Sequence, residues 1–146
     1  MNVTNLRSPS AKLGGIFYIG RMFDKIRLHT SGSLPEDYQP NLGKGFDDRA
    51  VNFLHVKYPA LLDRVKQGGS DEVILAWCFE QGRKPTDEEI EIWNGFMSKR
   101  GWRDEANEVL QRRLKEGGFE DRTDIQTMFE YIDLDEGRDP ALKKNA

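Results

Sequence analysis

Cysteine, histidine and long apolar runs are scarce in this chain, and each scarcity removes a class of function. Only one cysteine is present, so no internal disulfide can form. It is Cys78, in the run Val73-Ile74-Leu75-Ala76-Trp77-Cys78-Phe79, and it reads as a buried thiol suited to a reducing cytoplasm. The two histidines, His29 and His55, form no His-Glu-x-x-His pattern and no Cys-x-x-Cys pair exists, so neither a zinc site nor a cofactor is expected. A magnesium site built from Asp133, Asp135 and Glu136 meets a geometric obstacle, because a helix points Asp133 and Asp135 about 200° apart. No segment approaches the roughly 20 apolar residues that cross a bilayer. The start, Met1-Asn2-Val3-Thr4-Asn5-Leu6-Arg7, has no signal-type apolar core, so a membrane protein and a secreted one are both disfavoured.

Excess positive charge is missing too. A formal net charge of −3 argues against a general nucleic-acid binder, whose affinity comes from Lys and Arg neutralising phosphates. There is no Gly-x-Ser-x-Gly elbow for a nucleophilic serine. Gly43-Lys44-Gly45 ahead of a helix start resembles an anion-binding loop in miniature, but it lacks the length and the Lys-Ser/Thr ending of a P-loop.

What is present fits one folded domain. The 146 residues are 37% hydrophobic and 32% charged, with eight Phe, four Tyr and three Trp to fill a core. Trp77, Trp93 and Trp102 read as core or core-edge residues. Residues 1–12 form an extended lead-in, 13–137 a single helical domain, and 138–146 a flexible tail.

A first helix is expected from Gly15 to Arg27, closing near Ser31-Gly32, followed by an irregular loop from Ser33 to Gly45. Asp47 or Asp48 caps a short helix, Pro59 opens the next, and Ser70 caps an apolar helix over 73–79 that should sit at the centre. Thr86-Asp87-Glu88-Glu89 has the form of a capping box, and another helix starts near Asp104. A second box, Thr123-Asp124-Ile125-Gln126, starts the last helix. The fold is therefore expected to be all-α, a bundle of about six or seven helices, some short.

One polar cluster stands out against this plan. On a wheel of about 100° per residue, Gly20, Asp24 and Arg27 fall together at the edge of the first helix's apolar arc, with Gly20 leaving space beside Arg27. Glu136 falls within the apolar arc of the last helix, with Asp133 and Asp135 at its margins. Arg27 is the expected bidentate partner of one of those acids or of Asp24, with Tyr38 and Tyr131 completing the hydrogen bonds.

Two functions follow from the cluster. In the first and preferred reading it is a structural clamp joining the terminal helices of a binding or interaction module, and the cluster is filled. In the second, the chain is a small-molecule binder or enzyme. Arg21, Lys25 and Arg27 then grip a carboxylate or phosphate, Asp24, Asp133 or Asp135 transfers a proton, and a cleft opens beneath the Ser33–Gly45 loop.

Several stretches also carry a family likeness. Leu6-Arg7-Ser8-Pro9, Leu13-Gly14-Gly15, Arg21-Met22-Phe23-Asp24-Lys25-Ile26-Arg27, Tyr38 and Gly43-Lys44-Gly45-Phe46-Asp47 belong to this set. So do Ser70-Asp71-Glu72-Val73, Trp93-Asn94 and Asp133-Leu134-Asp135-Glu136-Gly137-Arg138. Together they resemble a family of small bacterial proteins known only as a domain of unknown function, number 5069. The resemblance implies a single-domain bacterial cytoplasmic protein and transfers no catalytic residue, cofactor or partner.

Overall fold

Gly14 and Gly15 both have positive φ, 59° and 79°, and make the two-residue turn of a hairpin. Its strands, β1 (Lys12–Leu13) and β2 (Ile16–Phe17), run antiparallel with Lys12 opposite Phe17 and Leu13 opposite Ile16. Such a turn matches the strand twist only with positive φ at both central residues, which glycine adopts without a Cβ clash. The expected helix over Gly15–Arg27 is corrected accordingly: helix α1 (Ile19–Thr30) begins only after Tyr18. The computed structural model describes residues 3–143.

Helix α1 is the axis of the core. Every residue from Ile19 to Ile26 is buried, and eight consecutive positions at about 100° each cover all sides of a helix. Arg21, Asp24 and Lys25 lie within that enclosed stretch, so their charges must be paired inside the protein. Around them Met22, Phe23 and Ile26 pack with Leu54, Leu61, Ile74, Met97 and Phe129.

Helices α2 (Phe46–Leu54), α3 (Tyr58–Lys66), α4 (Asp71–Gln81) and α5 (Asp87–Lys99) build this main core, after a 3₁₀ helix (Glu36–Asn41) that buries no residue. The apolar helix expected at the centre is α4, and it is peripheral. It buries Ile74, Leu75 and Cys78 while Val73 is 50% exposed, because α1 already occupies the axis. Trp93 is buried and donates from Nε1 to the Phe17 carbonyl (3.0 Å), whereas Trp102, expected at the core or its edge, is exposed.

Local capping sets several helix starts. Ser70 Oγ accepts from Val73 N–H (3.2 Å), and Thr86 and Glu89 form the reciprocal box at α5 (3.1 and 2.9 Å). The box expected at Thr123 does not form. Arg122 grips both Asp124 oxygens and Asp139, which holds that stretch as a turn. Helix α7 (Met128–Asp135) instead starts behind Thr127, whose Oγ1 accepts from Glu130 N–H (3.1 Å).

Helix α6 (Asn107–Glu116) and α7 share a second apolar cluster of Leu110, Leu114, Ile125, Met128 and Leu134, and Phe46 packs against both clusters. Of the segment expected as a tail, Arg138 and Asp139 are held in ion pairs with Asp133 and Arg122, and α8 (Pro140–Lys143) follows. Residues 1–2 of the lead-in and 144–146 of the tail lie outside the described residues. The fold is mostly helical, as the patterning predicts, with the small hairpin added. Among the described residues no helix is long and apolar enough to cross a membrane.

Candidate functional site

Three ion networks satisfy the charges that α1 carries inward. In the first, Arg21 forks onto Glu136, with Nη1 donating to Oε1 (2.8 Å) and Nη2 to Oε2 (2.6 Å). Tyr38 OH also donates to Glu136 Oε2 (2.7 Å), and Arg138 donates to Oε1. Burial pushes the Glu136 carboxyl up, but the Arg21 and Tyr38 hydrogen bonds and the Arg138 charge outweigh it and hold the group below its usual value.

The second network centres on Asp47, which is fully buried. Lys25 Nζ donates to Oδ2 (3.0 Å), Tyr18 OH to Oδ1 (2.6 Å) and Gly43 N–H to Oδ2 (3.0 Å). Burial lowers the Lys25 ammonium below its ordinary value, and Asp47 offsets this only in part. Burial raises the Tyr18 phenol well above its ordinary value, and the Asp47 charge adds to the effect.

The third network lies on another side of α1. Asp24 accepts from Arg7 Nε (2.8 Å) and sits 3.5 Å from Arg27, while Asp71 on α4 binds Arg27 (2.7 Å) and Arg7 (2.8 Å). Of the partners expected for Arg27, the structure gives Asp24 and not a late acid; Glu136 is taken by Arg21. Six residues, about 600° of helix, separate the two arginines and aim them at different neighbours. The space left by Gly20 serves Arg7, whose guanidinium would be 2.8 Å from a Cβ there. Asp133 accepts from Ser8 Oγ (3.0 Å) and Arg138 Nε (2.9 Å).

A cleft of about 560 Å³ lies beneath the 36–41 helix. From the predicted cluster it gathers Arg21, Lys25, Tyr38, Asp135 and Glu136 with Lys44 and Gly45, and it leaves out Asp24, Arg27, Asp133 and Gly43. Its wall also includes Arg49, Arg100 and Arg113, so six cationic side chains face three acidic ones, Asp37, Asp135 and Glu136. Tyr18, Phe46, Tyr131, Val109, Met128 and Ile132 supply aromatic and apolar surface. Among the described residues, Lys44, Arg49 and Arg113 have no carboxylate within ion-pairing distance.

In the Gly43-Lys44-Gly45 stretch two backbone N–H groups are engaged within the protein. Gly43 N–H is used by Asp47 and Lys44 N–H by the Asn41 carbonyl (3.0 Å), so the ammonium of Lys44 is its charged offering to the cleft.

A family model described as Domain of unknown function (DUF5069) matches residues 3–138. The chain belongs to the DUF5069 family. Among curated proteins no match is found. The DUF5069 match spans all three networks and every residue lining the cleft.

Four residues essential to these networks were not singled out as site residues from sequence: Arg7, Asp47, Asp71 and Arg138. Asp47 and Asp71 each stand at a helix start, where a cap or a dipole partner is the simpler reading, and only the tertiary fold brings them to α1. Arg7 sits between buried Leu6 and the Ser8-Pro9 pair, and a charge beside buried neighbours is the one available signal.

Proposed function

We propose that this DUF5069 chain binds a small anionic molecule that carries an aromatic or apolar part. The observation that carries the reading is the cleft beneath the 36–41 helix, cationic by six side chains to three and lined also by aromatic and apolar residues. A concave site lined by one sign of charge concentrates field and draws in the opposite ion, while a few placed polar groups beside apolar surface fix orientation. Lys44 and Arg113 supply charge without a carboxylate partner, Arg49 supplies a guanidinium that lies over the Phe96 ring, and Tyr18, Tyr38 and Tyr131 supply ring surface. Cytoplasmic residence accompanies this reading, supported by the single buried thiol of Cys78.

Thermal unfolding with inorganic phosphate, acetate, benzoate, phenyl phosphate and neutral phenol tests it. A ligand at about 100 times its Kd adds about 2.7 kcal/mol to the native state, roughly 5–10 °C in Tm for a chain of this size. Phenyl phosphate should exceed both phosphate and phenol, and Lys44→Ala with Arg113→Ala should abolish the gain. No rise with any anion defeats the reading.

A second reading, a protein-interaction module, is favoured by a different feature. Ile92 and Phe96 on α5 are 64% and 42% exposed beside a second groove lined by Arg49, Asn52, Phe53 and Trp93. Sedimentation of wild type against an Ile92→Glu, Phe96→Glu double variant tests it, and identical monomeric profiles count against self-association through this face.

A further inference from the structure

Lys25 stands apart from the other cations of the cleft. It is 5% exposed, yet it reaches the cleft wall from the buried face of α1. An ammonium has three N–H donors, and the hydrogen bond found for Nζ among the described residues is the one to Asp47 Oδ2 at 3.0 Å. Lys25 thus combines a place in the wall of a site that a small molecule can enter with a buried carboxylate at its ammonium.

We propose that Lys25 is the reactive amine of this cleft and forms an imine with an anionic aldehyde or 2-oxo acid bound there. The proposal rests on the ligand-binding reading above and names its substrate class. Lys44, Arg49 and Arg113 hold the anionic group, and the carbonyl carbon faces Nζ.

The groups around Nζ suit the proton traffic of that reaction. Asp47 accepts from both Lys25 and Tyr18, so a carboxylate and a phenol adjoin the amine. Burial is the largest influence on the ammonium and, with Arg21 one turn earlier on α1, lowers it from its ordinary value against the opposing charges of Asp47 and, more weakly, Glu136. One proton moves from the ammonium to Asp47 Oδ2, and the freed lone pair attacks the carbonyl carbon. The C=O π pair goes to oxygen, which takes the proton back from Asp47 to give a carbinolamine. A second nitrogen proton reaches that hydroxyl by the same carboxylate, and water leaves. Aldehyde and ammonium thus become a protonated imine and one water, with no oxidant or reductant consumed, and the cation remains opposite Asp47.

Borohydride trapping tests this on the full chain. Pyridoxal 5′-phosphate and glyoxylate serve as aldehydes of two sizes, followed by reduction and peptide mapping. The expected result is an adduct of the aldehyde's mass less one oxygen on Lys25, from at least one aldehyde, with a yield that rises with pH below the usual lysine range. Lys25→Arg keeps the charge opposite Asp47, so it should unfold like wild type and lose the adduct. Pyridoxine 5′-phosphate, with an alcohol in place of the aldehyde, reports binding alone through its thermal shift. If it binds and both aldehydes label only exposed lysines such as Lys44, imine formation at Lys25 is overturned and ligand binding stands. If it gives no shift and Lys25 is unlabelled, both proposals fall.

Discussion

Arg21 and Glu136 are separated by 115 residues in sequence and joined by two hydrogen bonds, 2.8 and 2.6 Å long, with 4% and 3% of each residue exposed. Removing one member leaves a buried charge without its partner, which costs about 3–5 kcal/mol. Glu136→Gln and Arg21→Met should each lower the unfolding free energy measured by urea denaturation by that much. Arg21→Met with Glu136→Leu should recover most of the loss, since an apolar pair of similar volume often replaces a buried ion pair without penalty. Additive losses in the double variant would show that the two side chains act separately.

Acid should weaken the fold through these same carboxylates. Burial raises Glu136 and Asp71, but their arginine partners prevail and hold both below the ordinary carboxylate range. Between the lowered folded value and the unfolded value, about 4, the unfolded chain binds more protons, so stability falls as the pH falls. The contribution is complete above roughly pH 5 and disappears as the pH drops through the folded values. Urea midpoints measured from neutral to acidic pH should show this slope, and Glu136→Gln should flatten part of it.

Gly82 ends α4 against the end of α2, where a Cβ would lie 1.9 Å from the Leu54 carbonyl oxygen and 2.7 Å from that of His55. Both obstacles are backbone, and Arg83 N–H bonds the same Leu54 oxygen (3.1 Å), so the two helix ends cannot part without losing that link. Gly82→Ala should cost about 3 kcal/mol or more. Gly95→Ala, with open space around its Cβ on α5, should be neutral or mildly stabilising in the same denaturation assay.

The Cys78 thiol is fully buried, and burial pushes its pKa up to about 12. The nucleophile is the thiolate, so the folded protein should resist iodoacetamide at neutral pH. Alkylation should proceed only as fast as the chain opens, and urea at the unfolding midpoint should accelerate it. Rapid labelling of the native protein would contradict the packing of α4.

Helix starts governed by local chemistry were legible in the sequence. Ser70 and Thr86 cap their helices with atoms no more than three residues away, so pattern alone locates them. Thr123 and Thr127 each head a box-like pattern, and the choice between them depends on Arg122 bonding to Asp139, 17 residues on. The cluster was legible as residues and not as pairs. Arg21, Tyr38 and Glu136 stand in the candidate set, but the wheel offers Arg27 either a late acid or Asp24, and only tertiary docking decides between them. Asp47 read as a cap since nothing near it in sequence tells of Lys25, 22 residues earlier. The resemblance to DUF5069 was legible throughout, being a matter of many short matches rather than of tertiary geometry.

Tyr38 ties the 36–41 helix to the floor of the cleft. Its hydroxyl donates to Glu136 Oε2 (2.7 Å), while the helix buries no residue of its own and Gln39 bonds back to Leu34 within the loop. A hydrogen bond to a charged group contributes about 1.5–3 kcal/mol where solvent is excluded, and this half-buried one should contribute near the lower end. Local segments with few buried contacts open before the whole domain does. Tyr38→Phe should therefore lower global stability by about 1.5 kcal/mol while increasing amide hydrogen exchange selectively across residues 33–45. The ring still lines the cleft in that variant, so weaker anion binding would come from a looser cover and not from lost aromatic surface. Unchanged exchange across 33–45 would mean that the packing of Leu34 and Leu42 alone holds the segment, and that the cleft keeps its shape without the hydroxyl.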